Sequence, residues 1–405
     1  MTSILVHTLT AYPASCLVRG LDGRPKSMGF GGVERGRISS AALKRAVRTS
    51  ERFAADLEGH IGYRTSRYGG MVVDRLVQAG MPRDKAVEGT LVLFSGGKSD
   101  PKVAAAKAAK AAAKAAKAAK RGAGDAAPAP EAPEAGDAAA PDGDAASGGA
   151  RLGKLRDRDT LQLEQLVYVS EQEVEAAAAL VTRIAAGERP GDDEVKAVVG
   201  PTTQAVDIAA FGRMFAERGD LRMRAAVEVA HSFTVQRALM ESDFYVANDD
   251  GKLPDEDVGA GFLGEQGFVT GLFYGFARID VRQLVANLGG AASVPLAKRA
   301  VAGIVRGLLT VSPSGKSASF GTHARAGWAM VEVGGCGPRS LAAAYMRPVS
   351  GEDHHAEAVR RAEGLALGMD AQYGEEWRRA SMDVIAGTGT LAGLLETADA
   401  AFPEG

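Results

Sequence analysis

Eight basic residues stand within the first fifty, against two acids. Arg19, Arg24, Lys26, Arg35, Arg37, Lys44, Arg45 and Arg48 face only Asp22 and Glu34. The densest part is KSMGFGGVERGRISSAALKRAVR, residues 26–48. Arg35 and Arg37 leave a glycine-rich stretch with accessible backbone amides. Lys44 and Arg48, four apart, share one face of a predicted helix, and Arg45 stands beside them. Ser39 and Ser40 precede that helix, where a hydroxyl can cap the free amides of the first turn. A phosphate would meet a helix dipole, amides and cations together. A solvated basic helix with an ordinary serine cap accounts for the same residues.

No catalytic constellation competes with this reading. The chain has no P-loop pattern, no His-Glu-x-x-His and no Gly-x-Ser-x-Gly. His354 and His355 follow Glu352 and Asp353, but adjacent side chains point apart; a solvated helix start is the simpler reading, and no metal or cofactor is expected. His7 alternates with apolar neighbours and reads as a satisfied histidine. Gly31-Gly32 and Gly334-Gly335 are too short for dinucleotide loops and read as turns. FYGFARI, 273–279, carries a faint aromatic-strand pattern of RNA-binding sheets.

The elements that must hold these residues are strands scattered among helices. SILVHTLT reads as a strand ended at Tyr12-Pro13. Residues 19–37 read as an irregular loop, and 51–98 as mostly helical with a turn at Gly80-Met81-Pro82. Residues 158–200 read as helical, 203–215 as a strand, and 221–239 as a helix. Residues 243–266 are turn-rich and acidic, predicting a protruding hairpin. FVTGLFYGFARID predicts a strand, VRQLVANL a helix, ARAGWAMVEVG a strand, and SLAAAYMRP onward to residue 380 mostly helix. The fold class is α+β with a helical insertion.

Length and composition suit this. The 405 residues, 46% hydrophobic, can bury a sizeable core. Two cysteines, Cys16 and Cys336, make neither a disulfide framework nor a zinc site and fit a reducing compartment. No export signal or run of about 18 apolar residues appears, so the expectation is a soluble, cytoplasmic protein. Net charge is −2, but unevenly placed. Residues 101–121 hold seven Lys/Arg and no acid, and 122–150 hold six acids, four prolines and no base. The first is a Lys/Ala tract in which Lys107, Lys110, Lys114, Lys117 and Lys120 recur on one helical face. The second is a linker-like sequence. The tract is read as a tethered polycation for target duplex or displaced strand, against a neutral insertion of drifted composition.

The chain resembles a known family in several strings. VHTLTAYPASCLVRG and KSMGFGGVERGRISSAALKRAVR resemble the N-terminus of the Cascade backbone subunit of type I-E CRISPR systems, the CasC family. The likeness resumes at VDIAAFGRM, AVEVAHSFT, DFYVANDD and FVTGLFYGFARIDVRQLVANLGG, and more loosely at PRSLAAAYMRP.

The resemblance implies an RRM-like (ferredoxin-like) palm, an inserted helical fingers domain and a protruding thumb hairpin. It divides the chain into palm at 1–57, 204–240 and 271–405, fingers at 58–203 around the low-complexity segment 99–150, and thumb at 241–270. It implies a non-catalytic subunit that polymerises along guide RNA, displaces bases at intervals and presents the rest to target DNA in antiviral defence. Its partners would be the guide RNA, target DNA, copies of itself, and the large, small, guide-end-capping and guide-processing subunits. A recruited nuclease-helicase would do the cutting.

By the same resemblance Arg19, Lys26, Arg35, Arg37, Lys44, Arg45 and Arg48 are phosphate contacts, and Ser39 and Ser40 helix-start contacts. Arg213 and Met214 fall in the base-wedging stretch, and Phe244 and Tyr245 on the thumb. Glu34 stands where a basic residue is expected. The family's finger lysines, which touch target duplex, are reduced here to Lys196. Two alternatives stay open: a backbone ribonuclease using Asp22, as in type III complexes, and a stand-alone single-strand RNA-binding protein.

Overall fold

The computed structural model describes residues 2–95, 152, 155–157, 160–214, 221–247 and 262–403. The chain divides into two compact units. One comprises Met1–Gly62, Thr202–Arg213 and Met223–Gly405; the other comprises Tyr63–Pro201 and Met214–Arg222. In chain order the strands are β1 (Ser3–Ser15), β2 (Ser27–Phe30), β3 (Val33–Ile38), β4 (Tyr63–Thr65), β5 (Leu155–Asp157), β6 (Gln162–Leu163), β7 (Val167–Val169), β8 (Val227–Val229), β9 (Ser232–Thr234), β10 (Met240–Ala247), β11 (Phe262–Asp280), β12 (Ala326–Gly334) and β13 (Arg378–Asp383).

The first unit is built on a mixed α/β plan around a large antiparallel sheet, ordered β13-β12-β1-β11-β9-β3-β2, with β8 and β10 also pairing β11. β1 is central and buried almost throughout, as its apolar run predicts. Its side chains alternate between faces. Ile4 and Val6 enter one core with the helix Val294–Thr310, which buries Leu296, Ala300, Val301, Ile304, Val305 and Leu309 at three- and four-residue spacing. Leu9 enters the other core, where the helix His354–Tyr373 lays down Ala358, Ala362 and Ala366. These small side chains let the helix approach Trp328 and Tyr345 closely.

The predicted strands at FVTGLFYGFARID and ARAGWAMVEVG form as β11 and β12, and VRQLVANL forms the helix Val281–Asn287. Five readings need correction. Pro13 does not end β1. The register slips between Tyr12 and Ser15, a bulge that absorbs a residue without a ladder donor. Residues 19–37 are not all loop, because β2 and β3 form a hairpin across Gly31 (φ 63°) and Gly32 (φ 77°), the two left-handed residues of a tight turn. The stretch read as a strand at 203–215 holds the helix Val206–Phe211. Its residues 206–210 are all buried, Asp207 included, and a short run buried on every side does not separate helix from strand by period. The stretch read as a helix at 221–239 carries β8 and β9 instead. The helix His354–Tyr373 stops at Gly374 (φ 65°), and β13 follows where helix was expected.

The second unit is mostly helical. Tyr68–Gln78, Arg83–Ser95 and Glu171–Ala185 pack around Val72, Leu76, Phe94, Val174 and Val181. Ser170 and Glu173 form a reciprocal cap at the start of the third helix: Glu173 N–H donates to Ser170 Oγ (3.2 Å), and Ser170 N–H donates to Glu173 Oε2 (2.7 Å). Short ribbons β4-β7 and β5-β6 flank these helices. Among the described residues no single helix is long and apolar enough to cross a membrane.

Candidate nucleic-acid interface

The basic string folds as the β2-β3 hairpin followed directly by the helix Ser40–Arg48. The predicted phosphate contacts separate into two groups. Arg19 and Arg45 are exposed, while Lys26, Arg37 and Lys44 are half-buried. Arg45 lies in the last helical turn, where a cation also complements the carbonyl end of the dipole.

Arg35 is 0% exposed, and this corrects its assignment. Its Nε donates to the Phe30 carbonyl (3.1 Å), Nη1 to the carbonyls of Thr234 (3.0 Å) and Val235 (2.6 Å), and Nη2 to that of Tyr345 (2.8 Å). The guanidinium therefore ties the hairpin to the neighbouring strand and to the turn Ala342–Tyr345 that precedes the helix His354–Tyr373. A phosphate has no approach to it. Arg48 is likewise turned inward. Its side chain is 13% exposed and lies 3.6 Å from the Asp207 carboxylate. Burial pushes the Asp207 carboxyl up, and the Gly62 N–H and the Arg48 charge oppose that shift. Arg48 anchors its helix to Val206–Phe211.

The serine cap is also corrected. Ser39 takes the N-cap position, but its side chain makes no capping hydrogen bond and is buried. Ser40 N–H donates instead to His231 Nδ1 (3.2 Å), to which Arg37 Nη1 also donates (3.4 Å). His231 links the helix start to the half-buried Arg37 of the hairpin. Nothing in its local sequence marks it, because it reaches the site only through the pairing of β9 with β3.

The predicted thumb residues lie on β10 and the first part of β11. From Met240–Val269 to Ala247–Phe262 these strands pair with each other, and β10 residues 241–247 are exposed. Phe244 is 64% and Phe262 57% exposed; Tyr245, Val246 and Leu263 are exposed beside them. Paired residues share a face, and successive ones alternate. Tyr245 lies over Gly264, where a β-carbon would stand 2.5 Å from its ring, and its ring meets Phe262 at 6.0 Å. Phe244, opposite Glu265, takes the other face. Residues 248–261, between β10 and β11 in the sequence, lie outside the described residues.

In the wedging stretch Met214 is 59% exposed. Arg213 is corrected: it is buried, and its backbone pairs with Met223 in both directions (3.0 and 2.9 Å). Lys196 is exposed at the end of the helix Asp192–Ala197, 3.5 Å from Asp193. Lys107, Lys110, Lys114, Lys117 and Lys120 lie outside the described residues.

Several further titratable groups are held by contacts within the fold. His7 Nδ1 accepts from the Tyr274 hydroxyl (2.9 Å), which itself accepts from Leu341 N–H (2.9 Å). This leaves the His7 Nε2 proton for Glu332 at 3.3 Å. Burial pushes the imidazole down, so it stays neutral. Glu332 also receives Arg339 (2.7 Å) and Arg379 (2.8 Å). Burial alone would raise this carboxyl; the His7 and Arg339 hydrogen bonds outweigh it and bring it to about 2. His355 Nε2 meets Asp383 at 3.1 Å, while Asp353 caps Ala356. Asp22 accepts from the Arg24 N–H (3.1 Å) within its own turn. Among the described residues no group of three or more His, Cys, Asp or Glu could hold a metal.

Comparison with known proteins gives a family and a fold. The family model of the CT1975-like proteins matches residues 4–398. A solved chain described as "CRISPR RNA-guided surveillance complex, pre-nicking" superposes with a TM-score of 0.75 at 25% identity, covering 99% of this chain and 100% of that one. Another, described as "CRISPR RNA-guided surveillance complex", gives 0.64 at 23% identity over 99% and 100%, a likeness of fold. No curated protein matches. With the family model spanning nearly the whole chain, the protein belongs to the CT1975-like family of Cascade backbone subunits.

Proposed function

We propose that this protein is a non-catalytic backbone subunit of a CRISPR RNA-guided surveillance complex. In this reading copies stack along guide RNA, displace bases at intervals and present the others for pairing with target DNA. Base pairing reads the sequence, and the protein holds backbone and shape. The sheet of the first unit serves as the RRM-like palm, the Tyr63–Pro201 unit as the fingers and the β10-β11 ribbon as the thumb. Arg19, Lys26, Arg37, Lys44 and Arg45 provide cations for the guide backbone, with Ser39 and Ser40 only as the backbone of the helix start. Other Cascade subunits cap the guide, and a recruited nuclease-helicase cuts.

The ribbon is the observation that carries the proposal. A two-stranded hairpin is marginal alone in water, and this one leaves five large apolar side chains exposed. A neighbouring copy and an unstacked base would cover them. Phe244 and Tyr245 supply rings for stacking, and Met214 an apolar tip.

Chemical probing of guide bases in the assembled complex tests this. The expected pattern is a reactive base at a fixed interval along the spacer part of the guide. Uniform protection, or reactivity without a period, would contradict it.

A further inference from the structure

Residues 312–325 run from the end of the helix Val294–Thr310 to β12 and carry Lys316, His323 and Arg325 with no acid. The segment is pinned at several points. Ser312 Oγ donates to the Ala324 carbonyl (2.7 Å). A β-carbon on Gly315 would stand 2.2 Å from the Leu17 carbonyl oxygen, so only glycine fits that approach. The Phe320 ring meets Phe268 of β11 at 5.9 Å. Between these anchors Lys316 takes a left-handed backbone (φ 51°, ψ 28°), uncommon for a residue with a β-carbon. Strain of this kind is held only where the surroundings fix it.

The lysine is aimed at the foot of the ribbon. Its Nζ donates to Gln266 Oε1 (3.2 Å), a neutral partner. The loop after β1 reaches the same place. Arg24 and Pro25 pack beside Gly267, and Arg24 stands 3.8 Å from Glu265 with both side chains more than half exposed. Burial pushes the buried Cys16 thiol up, and the charges of Arg19 and Lys316, close enough to act on it, pull it down. Lys316 and Arg24 thus reach one short stretch of β11, and the backbone pairing of Arg19 with Pro25, which packs on Gly267, brings Arg19 beside them. Of the acids nearby, Glu265 lies 3.8 Å from Arg24 and Asp22 accepts from the Arg24 N–H, while Asp243 stands opposite Gln266 on β10 and offsets part of this positive charge.

From this geometry we infer that Lys316, with Arg19 and Arg24, forms a binding site for one backbone phosphate of single-stranded RNA at the foot of the ribbon. This rests on the proposed guide-RNA function and adds a contact to it. The phosphate takes the place of Gln266 Oε1 on the ammonium group. Because the loop is pinned on both sides, little ordering remains to be done on binding. A phosphate fixed here would hold the strand where the ribbon rises, which is where a displaced base must be levered from its neighbours.

The test uses the full-length chain assembled on guide RNA across a salt series, with Lys316→Met, Lys316→Gly and Lys316→Arg beside Arg45→Ala as a reference. Methionine removes the charge and keeps the length. Glycine removes the side chain and relieves the left-handed backbone, so this variant keeps its melting temperature. Both neutral variants should lower the salt slope by roughly 0.7 per bound copy and weaken assembly about fivefold, and Lys316→Arg should bind as the parent does. A parental slope in Lys316→Met and Lys316→Gly, with a lowered slope in Arg45→Ala, overturns the Lys316 site and leaves the guide-RNA reading standing. A parental slope in all four variants overturns that reading as well.

Discussion

The hairpin-helix region from Ser27 to Arg48 and the ribbon of β10 and β11 invert each other's chemistry. In the first, a charged side chain lies inside, with Arg35 fully buried and held by four backbone carbonyls. In the second, aromatic rings lie outside, on strands that among the described residues pair only with each other at that height. Residue type alone would put the arginine at the surface and the rings in the core. What decides is the supply of partners. A guanidinium is tolerated inside when carbonyls meet its donors, and a ring stays outside when the ribbon brings nothing to cover it.

Substitution should separate the two regions, and Arg35→Ala has the largest expected effect. It strands buried carbonyls and leaves a cavity, so chemical denaturation should show a loss of about 3 kcal/mol or more. Arg45→Ala should change stability by less than about 0.5 kcal/mol while weakening RNA-dependent assembly. If Arg35→Ala folds with parental stability, the distinction between buried and exposed cations fails.

Glu332→Gln comes next. Glu332 sits at about 2 in the folded protein against an ordinary 4.5, so its contribution is complete above pH 4.5 and is lost as pH falls toward 2. Near neutral pH the substitution should cost on the order of 2 kcal/mol, and the gap to the parent should close as the solution is acidified through that window. His7 acts in the same direction. Its folded value lies below 6.5, so the unfolded chain binds the proton first and acid destabilises the fold. Urea midpoints measured at intervals from pH 7 to 3 check both; a gap that widens on acidification would contradict this assignment.

The ribbon should show the smallest effect on stability and the sharpest on function. Phe244→Ala and Tyr245→Ala should each leave the fold within about 0.5 kcal/mol. Because the two rings occupy opposite faces, they should affect guide-base reactivity unequally. The face that meets the displaced base loses stacking of about 1–3 kcal/mol, and the other loses contact with a neighbouring copy. Equal loss of periodic reactivity in both variants would contradict a one-faced wedge.

These differences show what the sequence could reveal. β11, β12 and the helix at Val281 were legible because β-branched and aromatic runs end at clear helix starts, Asp280 capping Gln283 among them. The β2-β3 turn had its signal in Phe30-Gly31-Gly32-Val33, obscured by the surrounding glycines and charges. The helix at Val206 and the strands at Val227 and Ser232 were misread because burial erases one period, while an alternating Val227-Glu228-Val229 sits in an alanine-rich stretch. At the candidate interface, the helix bearing Lys44 and Arg45 could be read locally. The inward turn of Arg35 could not, since Thr234, Val235 and Tyr345 are about 200 and 310 residues away along the chain. Arg48 and Asp207 are hidden from local reading in the same way.

The central claim is that copies of this chain line a guide strand and that the strand sets their number. Mass measurement of complexes reconstituted on guides with progressively longer spacers tests it most directly. The account predicts a stepwise rise, one added chain for each fixed increment of RNA. A single stoichiometry at every guide length would contradict it.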